Sequence, residues 1–316
     1  MSDDYSSAME LLLADRPSLG DVQQASALLE QASAAGHAEA SERLALLDAL
    51  GSARPPDWDR ALDFLVLAAR QGSRSASEQI QLLANNAIDP VIEDGTSLDW
   101  DAIRRSIPLD QRQQPGAKES LSESPRIRTI RGFATPAECR WLIGLASPRL
   151  GPATVFDQET GAQTLDPARD NSFLLLRLGE MNLLTEVIRQ RISAATNLPV
   201  PLFEPSQVLH YAIGQRFRPH HDFLDPANPA YHDSLGRFGQ RIATFLIYLN
   251  DRYSGGETRF PKIDLTFRAR QGDALFFANV LRDGAPDVQT LHAGLPPTAG
   301  EKWVFSQWIR DRFPNS

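Results

Sequence analysis

The sequence predicts an α+β chain: an N-terminal all-helical repeat domain over residues 1–90, then a double-stranded β-helix (jelly-roll) domain with packed helices over residues 126–316. Three observations predict it. A residue pattern recurs at an offset of 36 within a stretch dominated by Ala, Leu, Gln, Glu and Ser, with prolines confined to the breaks. Composition then shifts over residues 86–125 to acids, prolines and a Ser/Glu-rich run, Glu119 to Ser124, which reads as a linker or wrapping segment over 91–125. After Pro201, short β-rich segments alternate with Gly, Pro, Asn and Asp. Helices followed by many short strands fit a jelly roll with helices against one sheet.

In the first part, Ala25 to Leu47 aligns with Ala61 to Leu83. The matched pairs are Ala25/Ala61, Leu28/Phe64, Leu29/Leu65, Ala32/Ala68, Gly36/Gly72, Ala40/Ala76, Leu44/Ile80 and Leu47/Leu83. Small residues at 32 and 68 let helices approach closely. Gly36 and Gly72 end the first helix of each pair, where a left-handed residue costs glycine least. The pattern resembles the Sel-one-like repeats, relatives of the tetratricopeptide repeat, over two units with half of another in residues 5–14. The plainer alternative is two ordinary amphipathic hairpins. Two repeats are few for a free-standing solenoid, so they are expected to pack on the second domain or on a protein partner.

In the second part, Thr135-Pro136-Ala137-Glu138 carries a helix start: cap, first-turn proline, and glutamate three after the cap. Cys139, Leu142, Ile143 and Ala146 follow at helical spacing. A second helix is expected from Met181 to Thr196, with Leu184, Val187, Ile188 and Ile192 on one face. Strands are expected at Val208–Ile213, Ile242–Leu249, Asp264–Ala269, Ala274–Phe277 and Trp303–Ile309.

The 316 residues suit two domains, with 42% hydrophobic and 23% charged residues. A net charge of −8 and a pI near 5.3 give no basic surface for nucleic acid. The cluster Arg126, Arg128 and Arg131 reads as a solvated strand edge. No apolar run approaches the ~18 residues that span a bilayer. The acidic start MSDDYSS is not a secretory signal, and the single cysteine, Cys139, makes no internal disulfide. A cytoplasmic protein with no membrane and no nucleic-acid partner is expected.

Three of six histidines crowd His210 to His221, in a string ending Pro219-His220-His221-Asp222. A His-x-Asp pair at a strand end puts both side chains on one face, because orientation alternates with period two. A distant histidine completes a two-His-one-carboxylate set of the kind that holds non-haem Fe(II) with open positions. His292 is the only histidine after His232, and Lys302 follows it by ten residues, opening a strand. A buried base there can meet the far carboxylate of a co-substrate whose other end meets the metal. His221 points away by alternation, His210 reads as a satisfied strand histidine, and His232 as a loop histidine with solvation or substrate contact as its uses.

Residues 126–316 resemble the prolyl 4-hydroxylase-like branch of the Fe(II)/2-oxoglutarate dioxygenases. The likeness runs through Tyr211 to Asp222, Gln240 to Asn250, Gly255-Gly256-Glu257-Thr258 with Phe260-Pro261, Gly272 to Phe277, Leu291-His292-Ala293-Gly294 and Gly300-Glu301-Lys302-Trp303. The resemblance implies Fe(II), 2-oxoglutarate and O2, with ascorbate as reductant. It implies His220, Asp222 and His292 as catalytic metal ligands, Lys302 on the outer carboxylate of 2-oxoglutarate, and Tyr248 beside it. Thr244 and Leu246 alternate with Tyr248 toward the interior, and Tyr211 and Trp308 line the pocket. The retained carboxylate of Asp222 favours hydroxylation over halogenation. Core or packing roles are the plain alternatives for Tyr248, Tyr211 and Trp308, and Arg241 faces either substrate or an acidic neighbour.

By resemblance, the reaction hydroxylates an unactivated C–H, first of all in a prolyl residue of a peptide or protein. A free amino acid or small metabolite is the alternative substrate. A binding scaffold with an inactive barrel is the alternative of another class. The segment Ala168-Arg169-Asp170-Asn171-Ser172-Phe173 departs from the Arg-Thr-Ser-like stretch these hydroxylases carry, which leaves the target open. Loops 223–240 and 279–291 flank the ligand strands as lids do.

Overall fold

A computed structural model describes residues 4–52, 54–85, 98–152, 154–156, 163–165 and 169–313. Residues 86–90 at the end of the expected helical domain, residues 91–97 of the expected linker, and Ala168 lie outside the described residues. The chain is mixed helix and antiparallel sheet and divides into two compact units: residues 1–114 with 177–191, and residues 115–176 with 192–316.

The first unit contains α1 (Asp4–Leu12), α2 (Leu19–Ala34), α3 (Ala38–Leu50), α4 (Trp58–Arg70), α5 (Arg74–Asn85), α6 (Trp100–Ser106) and α7 (Leu109–Gln113). A capping box joins Ser18 and Asp21 at the start of α2. Gly36 and Gly72 both stand at φ 95°. After α2, His37 N–H reaches back to Ala32 O; after α4, Ser73 N–H reaches Ala68 O in the same way. Both helices thus end in a Schellman turn, which needs the left-handed residue glycine supplies cheaply. Ala8, Leu12, Ala25, Leu29, Leu44 and Leu47 form one buried cluster.

The segment 177–191 was not expected in this unit. Arg43 donates to the carbonyls of Leu178, Gly179 and Met181. Gln79, fully buried, accepts Leu184 N–H at 3.1 Å and donates to Glu42 at 2.7 Å. Polar side chains that read as surface from sequence anchor a distant stretch of chain.

The second unit carries two main sheets. In chain order its elements are β1 (Lys118–Glu123), β2 (Arg126–Ile130), α8 (Pro136–Ala146), β3 (Gly151–Pro152), β4 (Thr154–Phe156), β5 (Gln163–Leu165) and β6 (Ser172–Leu176). Then come the end of α9 (Leu183–Thr196), whose residues 183–191 belong to the first unit, β7 (Ser206–Tyr211), β8 (Phe217–His220), α10 (His232–Phe238), β9 (Arg241–Tyr248), β10 (Ser254–Gly255), β11 (Thr258–Phe260) and β12 (Leu265–Phe267). The last are β13 (Ala274–Ala278), β14 (His292–Gly294), β15 (Pro297–Ala299) and β16 (Lys302–Arg310). The major sheet runs β1-β2-β13-β9-β16-β7-β6-β3 and the minor sheet β12-β11-β14-β8. Tyr211, Tyr248, Leu275, Phe277 and Val304 of the major sheet cluster with Phe260 and Phe267 of the minor one.

The stretch expected as a linker is corrected in part. Asp99 caps α6 by accepting Ala102 N–H, and the Ser/Glu-rich run pairs with β2 as edge strand β1. An edge strand is often polar, since charge there discourages further pairing; that polarity made it read as loop. The Thr135–Glu138 capping box is present, and α8 buries Cys139, Trp141, Leu142 and Ala146.

Candidate active site

The site begins with a strand register. β8 and β14 pair antiparallel with His220 opposite His292, their ring centres 4.3 Å apart. Asp222 lies two residues beyond His220 and returns to its face. Asp222 Oδ1 lies 3.5 Å from His220 Nε2, and Oδ2 lies 3.5 Å from His292 Nε2. One donor atom from each of the three falls within 4.8 Å of the others, and no other such group exists among the described residues. His221 turns elsewhere, with Nε2 3.2 Å from Val288 O.

The donors are prepared for a metal. A carbonyl can only accept, so His220 Nδ1–H donates to Arg218 O at 2.8 Å and His292 Nδ1–H to Thr290 O at 3.0 Å. Each ring therefore offers the Nε2 lone pair inward, as ligand histidines do. Phe217 stacks on His220 with centres 3.5 Å apart, while Phe260 and Phe277 wall in His292. Burial, then the neighbouring His220, pushes the His292 imidazole down to about 4, so it is neutral at neutral pH. Burial pushes the Asp222 carboxyl up, but His292, His220 and the Thr244 hydroxyl outweigh it and hold it well below the usual carboxylate range. Two imidazoles and one carboxylate fit divalent iron with positions to spare.

Alternation also builds the cleft beside these donors. β7 contributes Gln207, Leu209 and Tyr211; β9 contributes Thr244 and Leu246; β16 contributes Lys302, Val304, Ser306 and Trp308. Lys302 is 3% exposed, with Nζ 5.3 Å from the Tyr211 ring centre and 5.5 Å from that of Tyr248. Its ammonium makes no hydrogen bond to another described residue. Burial pushes it down to about 7, against the pull of Glu257 and helped by Arg268. Such a group gains most from an incoming carboxylate.

Of the residues expected at the co-substrate, Tyr211, Thr244, Leu246, Lys302 and Trp308 line the cleft. The Tyr248 hydroxyl pairs with Thr258 Oγ1 at 2.7 Å, and Thr258 lines the cleft. Thr244 donates to Asp222 Oδ2 at 2.6 Å. Arg241 meets an acidic neighbour: it bonds both Glu204 oxygens, at 2.6 and 2.9 Å, and lies 3.7 Å over the Trp308 ring. His210 pairs with Glu301 at 2.7 Å, and His232 approaches Pro226 O of its own loop at 3.0 Å. Arg128 pairs with Glu123 and Arg131 with Asp273, which accounts for two of the three clustered arginines.

Sequence reasoning named Arg169 only within the segment that departs from the family pattern, and missed Gln207, Asn279 and Ser306. Gln207 and Ser306 were within reach of the alternation rule, two residues from Leu209 and Trp308. Arg169 lines the cleft with its guanidinium 5.1 Å from the Phe173 ring centre. Gly256 stands at φ +72°, and a Cβ there would lie 2.8 Å from the Tyr253 ring and 3.4 Å from Lys302 Cδ.

The 2OG-Fe(II) oxygenase superfamily matches residues 206–310. A probable prolyl 4-hydroxylase 10 of Arabidopsis thaliana is 36% identical over 247 residues, covering 72% of this chain and 83% of that protein. Prolyl 4-hydroxylase subunit alpha-1 of Rattus norvegicus is 35% identical, covering 63% of this chain and 37% of that one. A solved viral collagen prolyl hydroxylase of Paramecium Bursaria Chlorella virus-1, in complex with 2OG, is 29% identical, covers 58% of this chain and 95% of its own, and gives a TM-score of 0.46.

Proposed function

Because the chain belongs to the prolyl 4-hydroxylase family of 2-oxoglutarate- and Fe(II)-dependent oxygenases, we propose that it hydroxylates prolyl residues of a peptide or protein, with His220, Asp222 and His292 holding the iron. The observation that carries this is the convergence of those three side chains on one another beside a cleft that also holds buried Lys302. Iron with 2-oxoglutarate and dioxygen supplies the oxidant for an unactivated C–H bond, with succinate as co-product.

The chain's own residues do the rest. His220 and His292 are held in the donor tautomer by Arg218 and Thr290 carbonyls. Lys302 pairs with the outer carboxylate of 2-oxoglutarate and is recharged by it. Leu209, Leu246 and Val304 give the cleft apolar walls that limit water. Tyr211 and Trp308 shape the space beside them, and ascorbate serves as reductant.

The helical unit is read as two Sel-one-like repeats, supported by the matching Schellman turns at Gly36 and Gly72, and as the surface for a protein partner. The loops 223–240 and 279–291 act as lids. A cytoplasmic setting is supported by the single cysteine, Cys139, which can form no internal disulfide. No helix among the described residues is long and apolar enough to cross a membrane.

The test is succinate release with iron, 2-oxoglutarate and ascorbate, with proline-rich peptides or with free proline. Peptide-stimulated release with a product heavier by one oxygen supports the proposal. Stimulation by free proline alone replaces the peptide by a small molecule, and no iron-dependent release in any arm rejects the enzyme reading.

A further inference from the structure

The fold treats the two oxygens of Asp222 differently. Oδ2 receives the Thr244 hydroxyl at 2.6 Å, and Thr244 Oγ1 receives Asn279 Nδ2 at 3.0 Å. A threonine hydroxyl has one proton. With the Asn279 amide donating to its oxygen, that proton is directed at Asp222. Both relay residues are buried, Thr244 at 1% and Asn279 at 0% exposure. Asn279 is also held by its backbone: its N–H donates to Ile242 O at 2.8 Å, and its carbonyl receives Asp287 N–H at 2.9 Å. The other amide atom, Oδ1, is buried without a partner. A buried asparagine with a single side-chain bond is uncommon in folded proteins. Here that one bond goes to the residue that grips a ligand of the metal.

We propose that Asn279, acting through Thr244, occupies Asp222 Oδ2 so that Asp222 meets the metal through Oδ1 alone. The inference rests on reading His220, Asp222 and His292 as the iron ligands. An iron held by these three residues and by two atoms of 2-oxoglutarate would keep room for a diatomic gas only if Asp222 offered it a single oxygen. Asn279 and Thr244 are positioning residues, one strand away from the ligand they restrain: Thr244 on β9 and Asn279 just past the end of β13.

The experiment measures two affinities on the full chain, without oxygen. Fe(II) is titrated first. Nitric oxide, a diatomic probe, is then titrated into the Fe(II)·2-oxoglutarate form and followed by absorbance and electron paramagnetic resonance. Thr244→Val keeps shape and removes the hydroxyl: Fe(II) affinity should stay within about threefold, while nitric oxide binding weakens about tenfold or more. Asn279→Ala should shift the gas affinity in the same direction by about threefold, and Thr244→Ser should match wild type. A merely structural role lowers both affinities together, and that result overturns the proposal. So does unchanged nitric oxide binding in Thr244→Val and Asn279→Ala. If wild type itself binds no Fe(II), the ligand assignment fails instead, which is a separate outcome.

Discussion

Replacing Lys302 by methionine should make the protein more stable and less able to hold its co-substrate. Burial holds the Lys302 ammonium at about 7 against an ordinary 10.5, a difference that corresponds to about 5 kcal/mol of folding penalty. The sign comes from proton counting. Between those two values the unfolded chain holds a proton that the folded chain has released, so stability rises with pH through that window. The penalty is therefore complete below about pH 7, shrinks as pH climbs, and is gone above about 10.5. Methionine carries no charge and has similar length, so Lys302→Met should resist urea better than wild type at pH 6, by at most about 5 kcal/mol, and keep about 1 kcal/mol or less of that advantage at pH 10. Its 2-oxoglutarate affinity should fall by about 2–5 kcal/mol, the range for truncating one partner of a buried charge pair. Urea unfolding followed by circular dichroism at the two pH values gives the first quantity, and calorimetric titration of 2-oxoglutarate gives the second. A variant less stable than wild type at pH 6, or one that binds 2-oxoglutarate as tightly, refutes the reasoning that Lys302 is a strained cation kept for an anionic ligand.

The same titration predicts the pH dependence of wild type. Since pairing requires the Lys302 proton, 2-oxoglutarate affinity should fall about tenfold per pH unit above about 7, and calorimetry in buffers of different ionisation enthalpy should show proton uptake; a flat affinity from pH 6.5 to 8.5 contradicts it. Gly256→Ala should raise the 2-oxoglutarate KM with little change in Fe(II) affinity, because a Cβ at φ +72° drives into the Tyr253 ring beside the Lys302 stem, which it meets at van der Waals distance; unchanged KM counts against it. Glu204→Gln should destabilise by about 3–5 kcal/mol, since it leaves the Arg241 and Arg310 guanidinium groups short of their shared carboxylate. Burial raises the Glu204 carboxyl, yet Arg241 and Arg310 hold it below its usual range. Its contribution is thus present at neutral pH and is lost as pH falls through that lowered value, so wild type and Glu204→Gln should converge in urea stability at acid pH.

Features set by residue period and local chemistry were legible in the sequence. The period-two rule put Asp222 with His220 and turned His221 away, and the structure has both. Thr135 with Glu138, and Gly36 with Gly72, carry their function in their own backbone turns. Other features depend on contacts across the fold that no local pattern encodes. Gln79 and Arg43 look like surface residues on helices, yet they anchor residues 178–184 more than a hundred positions away. β1 looks like linker because an edge strand and a loop favour the same polar residues. Asn279 gave no signal, since its importance lies in one bond to Thr244.

The two ends of the proposed co-substrate site stand on different sheets, and this ties chemistry to packing. His220 and His292 sit on β8 and β14 of the minor sheet, while Lys302 opens β16 in the major one. The distance a bound 2-oxoglutarate must span is therefore set by side chains packed between the sheets, among them Phe260 and Phe277 against His292 and each other. Cores are close-packed, and a lost methylene is only partly absorbed by relaxation. A large-to-small change at Phe267 of the minor sheet, buried and packed on the Tyr248 ring of the major sheet rather than on a ligand histidine, should therefore act on the spacing of the two ends. Iron binding depends on donors of one sheet edge, and co-substrate binding depends on both sheets. Core substitutions between the sheets should for that reason weaken 2-oxoglutarate more than iron, the reverse of what losing a ligand side chain does.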